Sequence, residues 1–367
     1  MYRALKTRLG AGSGAGGEQR PGWRPPADLI PVAAVLLAFM AGAGLIALAG
    51  VSPLRAYANL LLGAFGSRNA IAETLVKTTP LLLAGLGTAV AFRGRIVNIG
   101  AEGQILMGAV GATYVGLYMG QLTPVAGILL AITTGFVLGA LWVGIAAALK
   151  LRFGASELIT TLMLNYIAIE LVGFLIAGPW KDPKAFNPFT ALIAPAVRLP
   201  VLMSGTRLHA GIILALLATA VLSYVLRHTV YGFQLGVVGA NPKAASYSGI
   251  HNSRVILGTM LLSGGLAGLA GVSELAGLHY RLLGGLSAGY GYTAIAIALL
   301  GRGKPFGVLA AAFLFAALTV GGDGMQQSSA VPVQVVMIIE GLLLLFVLGS
   351  EVFRARRKLA DSKREGA

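Results

Sequence analysis

A polar segment with the sequence FRGRIVNIGAEGQ, residues 92–104, stands between two long apolar stretches. Its members that could hydrogen-bond a solute or let the backbone bend are Asn98, Gly100, Glu102, Gly103 and Gln104. Glycine lowers helix stability, so glycines beside apolar runs indicate that the backbone must bend or closely approach another group. An ionisable group next to such runs favours a pathway or binding site. The chemistry that this pattern predicts is hydrogen bonding to a polar solute.

A structural explanation covers part of the same segment. Asn98 is a good helix-capping residue, and Glu102 would then lie in the first turn of the next helix, where a negative charge is stabilised. Arg93 and Arg95 flank a glycine, and their predicted role is to anchor the chain on the cytoplasmic side. For Glu102 taken alone, helix stabilisation and solute contact are both open.

Four further acids lie in or beside apolar runs. They are Glu157, Glu170, Glu274 and Glu340. Glu157 is predicted to supply the N-terminal charge of its helix. Glu170 and Glu340 fall nearer the middle of their runs, and we expect both to face the interior of the bundle. Their predicted partners are Asn165 and Gln334. A proton relay along these scattered acids is the alternative.

A second polar interruption is GVVGANPKAASYSGI, residues 236–250. Asn241 followed by Pro242 is typical of a helix start and Gly249 of a stop, which predicts a helix of about two turns. Its predicted exposed residues are the aromatic Tyr247 and the small residues Ala244, Ala245, Ser246 and Ser248. A small-residue surface with one aromatic anchor suits docking into another protein's groove. Taken alone, the loop favours an ordinary connecting helix on the membrane surface.

The elements that must position these residues follow from an apolar composition. Of 367 residues, 56% are hydrophobic and 11% are charged, with a mean hydropathy of +0.81. The chain is therefore an integral membrane protein, and its 52 glycines predict helices that are closely packed or broken. It has no cysteine, which excludes disulfides, zinc fingers and thiol catalysis. The net charge of +15 clusters beside apolar runs, so it indicates orientation rather than nucleic-acid binding.

Uncharged runs long enough to cross about 30 Å of hydrocarbon predict an all-α polytopic membrane protein with about ten transmembrane helices. The runs Thr78–Phe92 and Leu286–Gly301 are short, and we expect them to be tilted, broken or re-entrant. Basic residues fall mostly on one side, which puts both termini in the cytoplasm and requires an even number of spans. The predicted parts are a disordered tail 1–29, a transmembrane domain 30–349 containing a cytoplasmic loop 227–253, and a basic tail 350–367.

Four segments of the chain resemble a known family. AFRGRIVNIGAEGQILMGA, SELITTLMLNYIA, GANPKAASYSGI and GYGYTAIAIALLGRGKPFG are similar to the permease subunits of bacterial ABC importers. The resembling branch includes the ribose, branched-chain amino acid and nucleoside systems. The resemblance runs from residue 30 to residue 349, and NIGAEGQ with GYTAIAIALLGR is most similar to the nucleoside and simple-sugar members. It implies import of nucleosides or related simple sugars across the bacterial inner membrane.

The resemblance implies an importer built from two permeases, two cytoplasmic ATPases and an extracytoplasmic solute-binding protein. In such systems one permease typically carries NIGAEGQ and its partner a variant, which implies a heterodimer. ATP would be bound and hydrolysed by the partner ATPase, so this chain is expected to be no enzyme and to hold no cofactor or metal. GRGKP at 301–305 agrees, because it lacks the spacing and the hydroxyl of a phosphate-binding loop.

The resemblance also assigns roles to residues. The solute pathway would include Asn98, Gly100, Glu102, Gly103, Gln104, Asn165 and Tyr292. The loop helix would be a coupling helix seated in the ATPase, through Gly239, Asn241, Pro242, Ala244, Ala245, Tyr247 and Gly249. Two alternatives remain: import of branched-chain amino acids, and ion-coupled transport with protons carried by Glu102, Glu170 or Glu274. A membrane enzyme is disfavoured, because the four histidines show no metal-ligand spacing.

Overall fold

The computed structural model describes residues 30–350 except 49, 330, 333, 344, 347 and 348. The secondary structure of this part of the chain is helical, with three isolated β-bridges and no β-strand. The predicted all-α fold is confirmed. The predicted tail 1–29 lies outside the described residues, as does the tail 350–367 apart from Ser350.

The described chain is a series of consecutive helices, and one of them ends in a π-helical turn. They are α1 (Ile30–Leu48), α2 (Pro53–Phe65), α3 (Arg68–Arg93), α4 (Ala101–Tyr118), α5 (Pro124–Phe153), α6 (Glu157–Ala177), α7 (Gly211–His228), α8 (Val230–Ala240), α9 (Pro242–Tyr247), α10 (Asn252–Glu274), α11 (Tyr290–Leu300), α12 (Pro305–Ser329) and α13 (Gln334–Leu343). α10 continues into one π-helical turn, Leu275–His279.

Six helices in the described part of the chain are long and apolar enough to cross a membrane: α3, α5, α6, α7, α10 with its π-helical turn, and α12. The pair α1 and α2, bent by 115°, makes a seventh candidate if it forms one span. α4 has 18 residues, as α7 does, but its polar first turn lowers its hydropathy. α8, α11 and α13 are shorter apolar helices. The protein is therefore a multi-pass, all-helical membrane protein.

The first run that we expected to be short, Thr78–Phe92, is part of one continuous helix. α3 extends over 26 residues, because the charges that precede the run find partners in distant parts of the chain. Glu73 accepts two hydrogen bonds from Arg207, at 2.7 and 2.6 Å. Lys77 donates to the Tyr290 hydroxyl at 2.6 Å. The prediction of a broken or re-entrant segment is wrong here, since a paired charge does not end a helix, and a tilted span stays a prediction.

The second short run, Leu286–Gly301, is confirmed as short. α11 has 11 residues, and the turn before it contains Ala288 and Gly289 at φ values of 47° and 81°. At 1.5 Å per residue, a helix of this length covers only about 17 Å, roughly half of the hydrocarbon thickness. Its first turn meets α4 closely, since a Cβ on Gly291 would lie 2.1 Å from the backbone nitrogen of Glu102. α11 therefore begins inside the bundle.

α10 is the central helix and packs against α3, α4 and α5. Its contact with α4 brings two backbones together at Gly268 and Gly108, where a Cβ on Gly108 would lie 2.0 Å from the Gly268 oxygen. Helices in a membrane gain contact area by approaching at small residues. The expectation that the glycines allow close helix packing is confirmed.

Two of the acids face the bundle or a helix end as expected. Glu157 is the first residue of α6 and pairs with Lys150 at 2.5 Å, so its predicted role as an N-terminal charge is confirmed. Glu340 is half-buried and accepts a hydrogen bond from Thr319 at 3.2 Å. Its interior position is confirmed, but its predicted partner is wrong, because Gln334 is exposed.

The prediction that Glu170 faces the interior of the bundle is wrong, because this residue lies on the exposed side of α6. The buried stripe of α6 consists of Thr161, Leu164, Asn165, Ala168, Val172 and Ile176. Successive residues of this stripe are one, three or four positions apart, which keeps them on one face of the helix. Glu170 falls outside that face. It therefore does not pair with Asn165, and it has no hydrogen bond or ion pair within the described residues.

Candidate functional site

The segment between α3 and α4 enters the bundle without helical structure. Asn98 is fully buried, and its side-chain nitrogen donates to the hydroxyl of Ser263, midway along α10, at 2.9 Å. Asn98 and Gln104 also exchange two amide hydrogen bonds, of 3.1 and 3.0 Å. Irregular backbone at membrane depth is tolerated where protein or a cavity surrounds it, and α10 supplies that surrounding here.

The start of α4 differs from the expectation. The residue that precedes its first turn is Gly100, and α4 has no side-chain cap. The oxygen of Asn98 accepts a hydrogen bond from the Gly100 nitrogen at 2.9 Å, which closes a turn ahead of the helix. The prediction that Asn98 caps the next helix is wrong, because Ser263 and Gln104 engage the rest of its amide group.

Asn165 of α6 joins the segment from the opposite side. Its oxygen accepts from the Gly103 nitrogen at 2.9 Å, and its own nitrogen donates to the Ile99 oxygen at 2.9 Å. Thr161, about one turn earlier, accepts from the Ile99 nitrogen at 3.3 Å. Buried peptide groups outside a helix need such partners. Two side chains of α6 thus satisfy the backbone of the polar segment.

Glu102 joins the starts of two helices. It lies in the first turn of α4, and its carboxylate accepts hydrogen bonds from the backbone nitrogens of Gly289 and Gly291, at 3.3 and 2.9 Å, at the start of α11. The Ser287 hydroxyl donates to the same carboxylate. Its side chain is 5% exposed. A negative charge between two helix N-termini is stabilised by both dipoles and by orphan N–H groups.

The structure brings six of the seven predicted pathway residues into one buried network: Asn98, Gly100, Glu102, Gly103, Gln104 and Asn165. Tyr292 is 41% exposed, and its side chain lies near that of Asn165. The network therefore reaches the surface of the chain at Tyr292. Contact of these residues with a solute stays a prediction.

Sequence reasoning missed three hydroxyl residues that complete the network, namely Thr161, Ser263 and Ser287. The signal for Ser263 was a lone serine in the apolar, glycine-rich run MLLSGGLAG. Ser287 stands in a turn and carried no signal of its own. Among the described residues, no group of three His, Cys, Asp or Glu side chains could hold a metal ion.

The second polar interruption forms the short helix α9, as predicted. The Asn241 oxygen accepts from the backbone nitrogens of Lys243 and Ala244, at 3.0 and 3.2 Å. Pro242 occupies the first helical position. Gly249 follows the helix at φ 77°, in the left-handed region that glycine favours. The predicted cap and stop are both confirmed.

The exposed side of α9 carries mostly the residues expected there. Tyr247 is 93% exposed, and Ala244, Ser246 and Ser248 are also exposed. Ala245 is fully buried in the hydrophobic core, so its predicted exposure is wrong. One face of a helix that lies on a protein surface packs against the protein. Ala245 lies on that inward face.

α8 connects α9 with the polar segment. A Cβ on Gly239 of α8 would lie 2.2 Å from the backbone oxygen of Arg93, which is the last residue of α3. The non-helical part of the polar segment begins at the next residue. Arg93 also donates to the Leu226 oxygen at 3.4 Å, which ties the end of α3 to the end of α7. Beside α9 a groove of about 600 Å³ opens, and its lining includes Arg93, Arg227 and Phe233.

A multi-pass helical bundle with a polar network in its interior and a small-residue helix presented at one end has the architecture of a membrane permease. The class agrees with a family comparison. The family described as branched-chain amino acid transport system / permease component matches residues 70–348. The chain belongs to this family, and the resemblance of its motifs is confirmed: it is a permease subunit of an ABC importer.

Individual relatives extend over nearly the whole chain. The glucose ABC transporter permease protein TsgB13 of Haloferax volcanii is 36% identical over 337 residues, 89% of this chain and 88% of its own length. The guanosine ABC transporter permease protein NupP of Bacillus subtilis is 36% identical over 344 residues, 92% and 97% respectively. A second guanosine permease protein of that organism, NupQ, is 27% identical over 294 residues, 78% and 92%. No solved structure matches the chain.

Proposed function

We propose that the chain forms half of the membrane path by which an ABC importer admits nucleosides or related simple sugars. The observation that carries this cargo is the similarity to the guanosine permease protein NupP, which extends over 92% of this chain and 97% of the relative. The glucose permease protein TsgB13 supports a cargo rich in hydroxyl groups. Amide and carboxylate groups such as those of the buried network suit such solutes on an otherwise apolar wall.

The second half of the path is a different permease subunit. Bacillus subtilis has two guanosine ABC transporter permease proteins, NupP and NupQ, that are both similar to this chain. NupP is 36% identical to this chain and NupQ is 27% identical. This difference favours a heterodimer in which this chain takes the place of NupP. An extracytoplasmic solute-binding protein delivers the cargo, and a separate cytoplasmic ATPase supplies the energy. The chain itself is no enzyme and needs no cofactor.

The pathway residues proposed for this chain are Asn98, Gly100, Glu102, Gly103, Gln104, Asn165 and Tyr292. In the structure the amide groups of this network bind one another, so a solute would reach them only after α4, α6 or α11 shifts. Tyr292 lies at the surface end of the network. A solute arriving there could exchange its hydroxyl groups for the internal hydrogen bonds at a modest net cost.

The proposed topology has ten crossings. The bent pair α1–α2, the six long helices, and α4, α11 and α13 supply them, with the short α11 completing from mid-bundle depth a crossing that the segment before it begins. An even number places both termini on one side, and basic residues at the ends of α3, α5 and α7 favour the cytoplasm of a bacterial inner membrane. α8 and α9 then lie on the cytoplasmic side.

In the proposed coupling mechanism, α9 sits in the ATPase and moves with it. α9 follows α8 after a single residue, Asn241, and Gly239 of α8 rests on the end of α3. A movement of α9 would therefore displace the point at which the polar segment begins. The proposed coupling residues are Gly239, Asn241, Pro242, Ala244, Ala245, Tyr247 and Gly249. Ala245 would act by holding α9 on the bundle, since it is buried.

The cargo is tested with the complex of both permeases, the ATPase and the cognate binding protein in proteoliposomes. ATP-dependent uptake is measured for radiolabelled guanosine, ribose and leucine, each with the other two as unlabelled competitors. We expect uptake of guanosine or ribose that leucine does not reduce. Uptake of leucine alone would favour the branched-chain amino acid alternative and contradict the proposed cargo.

A further inference from the structure

A charged residue stands on the outward side of α6, where the neighbouring exposed residues are apolar. Glu170 is exposed, and around it on the same side lie Met163, Ile167 and Phe174, which are 48%, 53% and 65% exposed. Glu170 is preceded in α6 by thirteen residues and followed by seven. At 1.5 Å per residue it lies about 20 Å from the start of α6 and about 10 Å from its end. It therefore falls within the hydrocarbon thickness.

Lipid is an unsuitable neighbour for this carboxylate. An ionised side chain inside the hydrocarbon region is costly and nearly always faces protein or water. Within the described residues Glu170 has no hydrogen bond and no ion pair. The polar or aqueous surroundings that this carboxylate needs must therefore come from outside the described part of the chain. An entirely lipid-facing α6 would present only apolar residues there, as the exposed residues Val137 and Leu141 of α5 do.

Two tyrosines extend this side toward the buried network. Tyr166 precedes Glu170 by four residues, so both occupy the same side of α6, and it is 57% exposed. Tyr292 of α11, 41% exposed, lies near both Tyr166 and the Asn165 side chain. One surface therefore presents two phenol rings and a carboxylate, and it borders the network through Asn165.

We infer that Tyr166, Glu170 and Tyr292 form a solute-binding wall of the transport path, on the side of α6 that the second permease subunit closes. The inference rests on the proposed function and makes it more specific. Glu170 accepts hydrogen bonds from two neighbouring sugar hydroxyls, and the tyrosine rings pack against the base or the sugar ring.

This chemistry selects among the possible cargoes. A carboxylate that accepts hydrogen bonds binds vicinal hydroxyls well, because each oxygen can take one of them. The same group repels the carboxylate of an amino acid such as leucine. Glu170 thus favours ribonucleosides and sugars over branched-chain amino acids, and it favours solutes that keep both ribose hydroxyls.

The test compares guanosine with 2′,3′-dideoxyguanosine in the reconstituted complex. We expect E170Q to lower guanosine uptake at limiting concentration by about tenfold, as the loss of charged hydrogen bonds predicts, and to leave dideoxyguanosine uptake unchanged. D182N, which removes a negative charge from the loop after α6, is the control and should alter neither. An equal loss for both solutes in E170Q, or no loss for either, would overturn the inference.

A second measurement does not depend on transport. The chain has no cysteine, so E170C introduces a single thiol into it. A charged, membrane-impermeant thiol reagent reacts with a thiolate in water and should label E170C in the assembled complex, with protection by guanosine. L141C, on the exposed apolar side of α5, is the lipid-facing control and should remain unlabelled. Labelling of L141C and not of E170C would overturn the inference.

The two proposals fail in different ways. If the unmodified complex shows no ATP-dependent guanosine uptake, the proposed cargo is wrong and the inference falls with it. If the unmodified complex takes up guanosine while E170Q transports both nucleosides normally and E170C is unlabelled, the proposed function stands and only the binding wall is wrong.

Discussion

Two asparagines precede helices in the two polar interruptions of this chain, and they behave differently. Asn241 is exposed and caps α9 through two backbone nitrogens. Asn98 is fully buried and leaves α4 without a side-chain cap. Instead its side-chain nitrogen, which a helix cap does not use, donates to Gln104 and Ser263. A buried amide group must satisfy all of its donors and acceptors within the protein, whereas an exposed amide group can cap a helix and leave its remaining donors and acceptors to water.

The same contrast separates the two regions in energetic terms. The buried region depends on side chains from α4, α6 and α10 and on backbone nitrogens at the start of α11, so one substitution there removes several hydrogen bonds at once. α9 contains six residues and makes its cap and stop locally. We therefore expect substitutions in the buried network to lower stability and substitutions on the exposed side of α9 to lower coupling.

The largest effect is expected at Glu102. E102L would leave the Ser287 hydroxyl and the nitrogens of Gly289 and Gly291 without their acceptor. Each buried unsatisfied donor costs about 1–3 kcal/mol, so the variant should lose roughly 3 kcal/mol or more. Thermal unfolding of the detergent-solubilised protein would show this as a strongly lowered melting temperature. E102Q, which keeps an acceptor oxygen, should fall between E102L and the unmodified protein; equal melting temperatures for all three would contradict the role of Glu102.

The two asparagines give the direct comparison. N98A should destabilise the protein by about 2–3 kcal/mol, because Gln104, Ser263 and Gly100 lose buried partners. N241A should cost about 1 kcal/mol, the usual value of a lost cap. N241D should restore the cap, whereas N98D should not restore the network, because a carboxylate cannot donate to the side-chain oxygen of Gln104 and is costly to bury. A larger loss for N241A than for N98A would reverse the comparison.

Two glycines of α8 probe the connection between the regions. A Cβ on Gly239 would collide with the backbone oxygen of Arg93, whereas a Cβ on Gly236 would meet nothing within 4 Å. G239A should cost about 1–3 kcal/mol by overpacking and should lower the solute transported per ATP hydrolysed. G236A is the matched control on the same helix and should preserve that ratio. If both variants couple normally, α8 does not transmit the movement.

The smallest effect on stability is expected at Tyr247. Its side chain is 93% exposed, so Y247A should change the free energy of unfolding by about 0.5 kcal/mol or less. An aromatic anchor buried in a partner's groove is often worth 2 kcal/mol or more, so the same variant should release the ATPase by at least about tenfold in affinity. Co-purification of the ATPase with the permease measures this. Unchanged co-purification would remove Tyr247 from the docking surface.

Local chemistry made part of the structure predictable. The pair Asn241 and Pro242 forms its cap within three residues, so the start of α9 could be read directly from the chain. Glu157 likewise lies in the first turn of α6. These features require only neighbouring residues. Long-range pairing could not be read in this way: Lys77 seemed to end an apolar run, but its partner is Tyr290, 213 residues further along the chain.

The candidate site shows the same limit. The sequence predicted that Asn98, Glu102 and Gln104 belong to one site, because they are neighbours in the chain. It could not show that Glu102 binds the start of α11, since that contact depends on a helix almost two hundred residues away. Glu170 was predicted to face inward on the basis of its cost in lipid alone. The buried stripe of α6 decides its direction, and that stripe is defined by packing against α4 and α5.

We propose that the transport energy comes from a separate ATPase that moves α9. Uptake of labelled solute into proteoliposomes is measured for this permease pair with and without the ATPase and binding protein, in each case with and without a protonophore. We predict accumulation only in the full complex with ATP, and no loss when the protonophore collapses the proton gradient. Accumulation by the permeases alone, abolished by the protonophore, would contradict the account and favour ion-coupled transport.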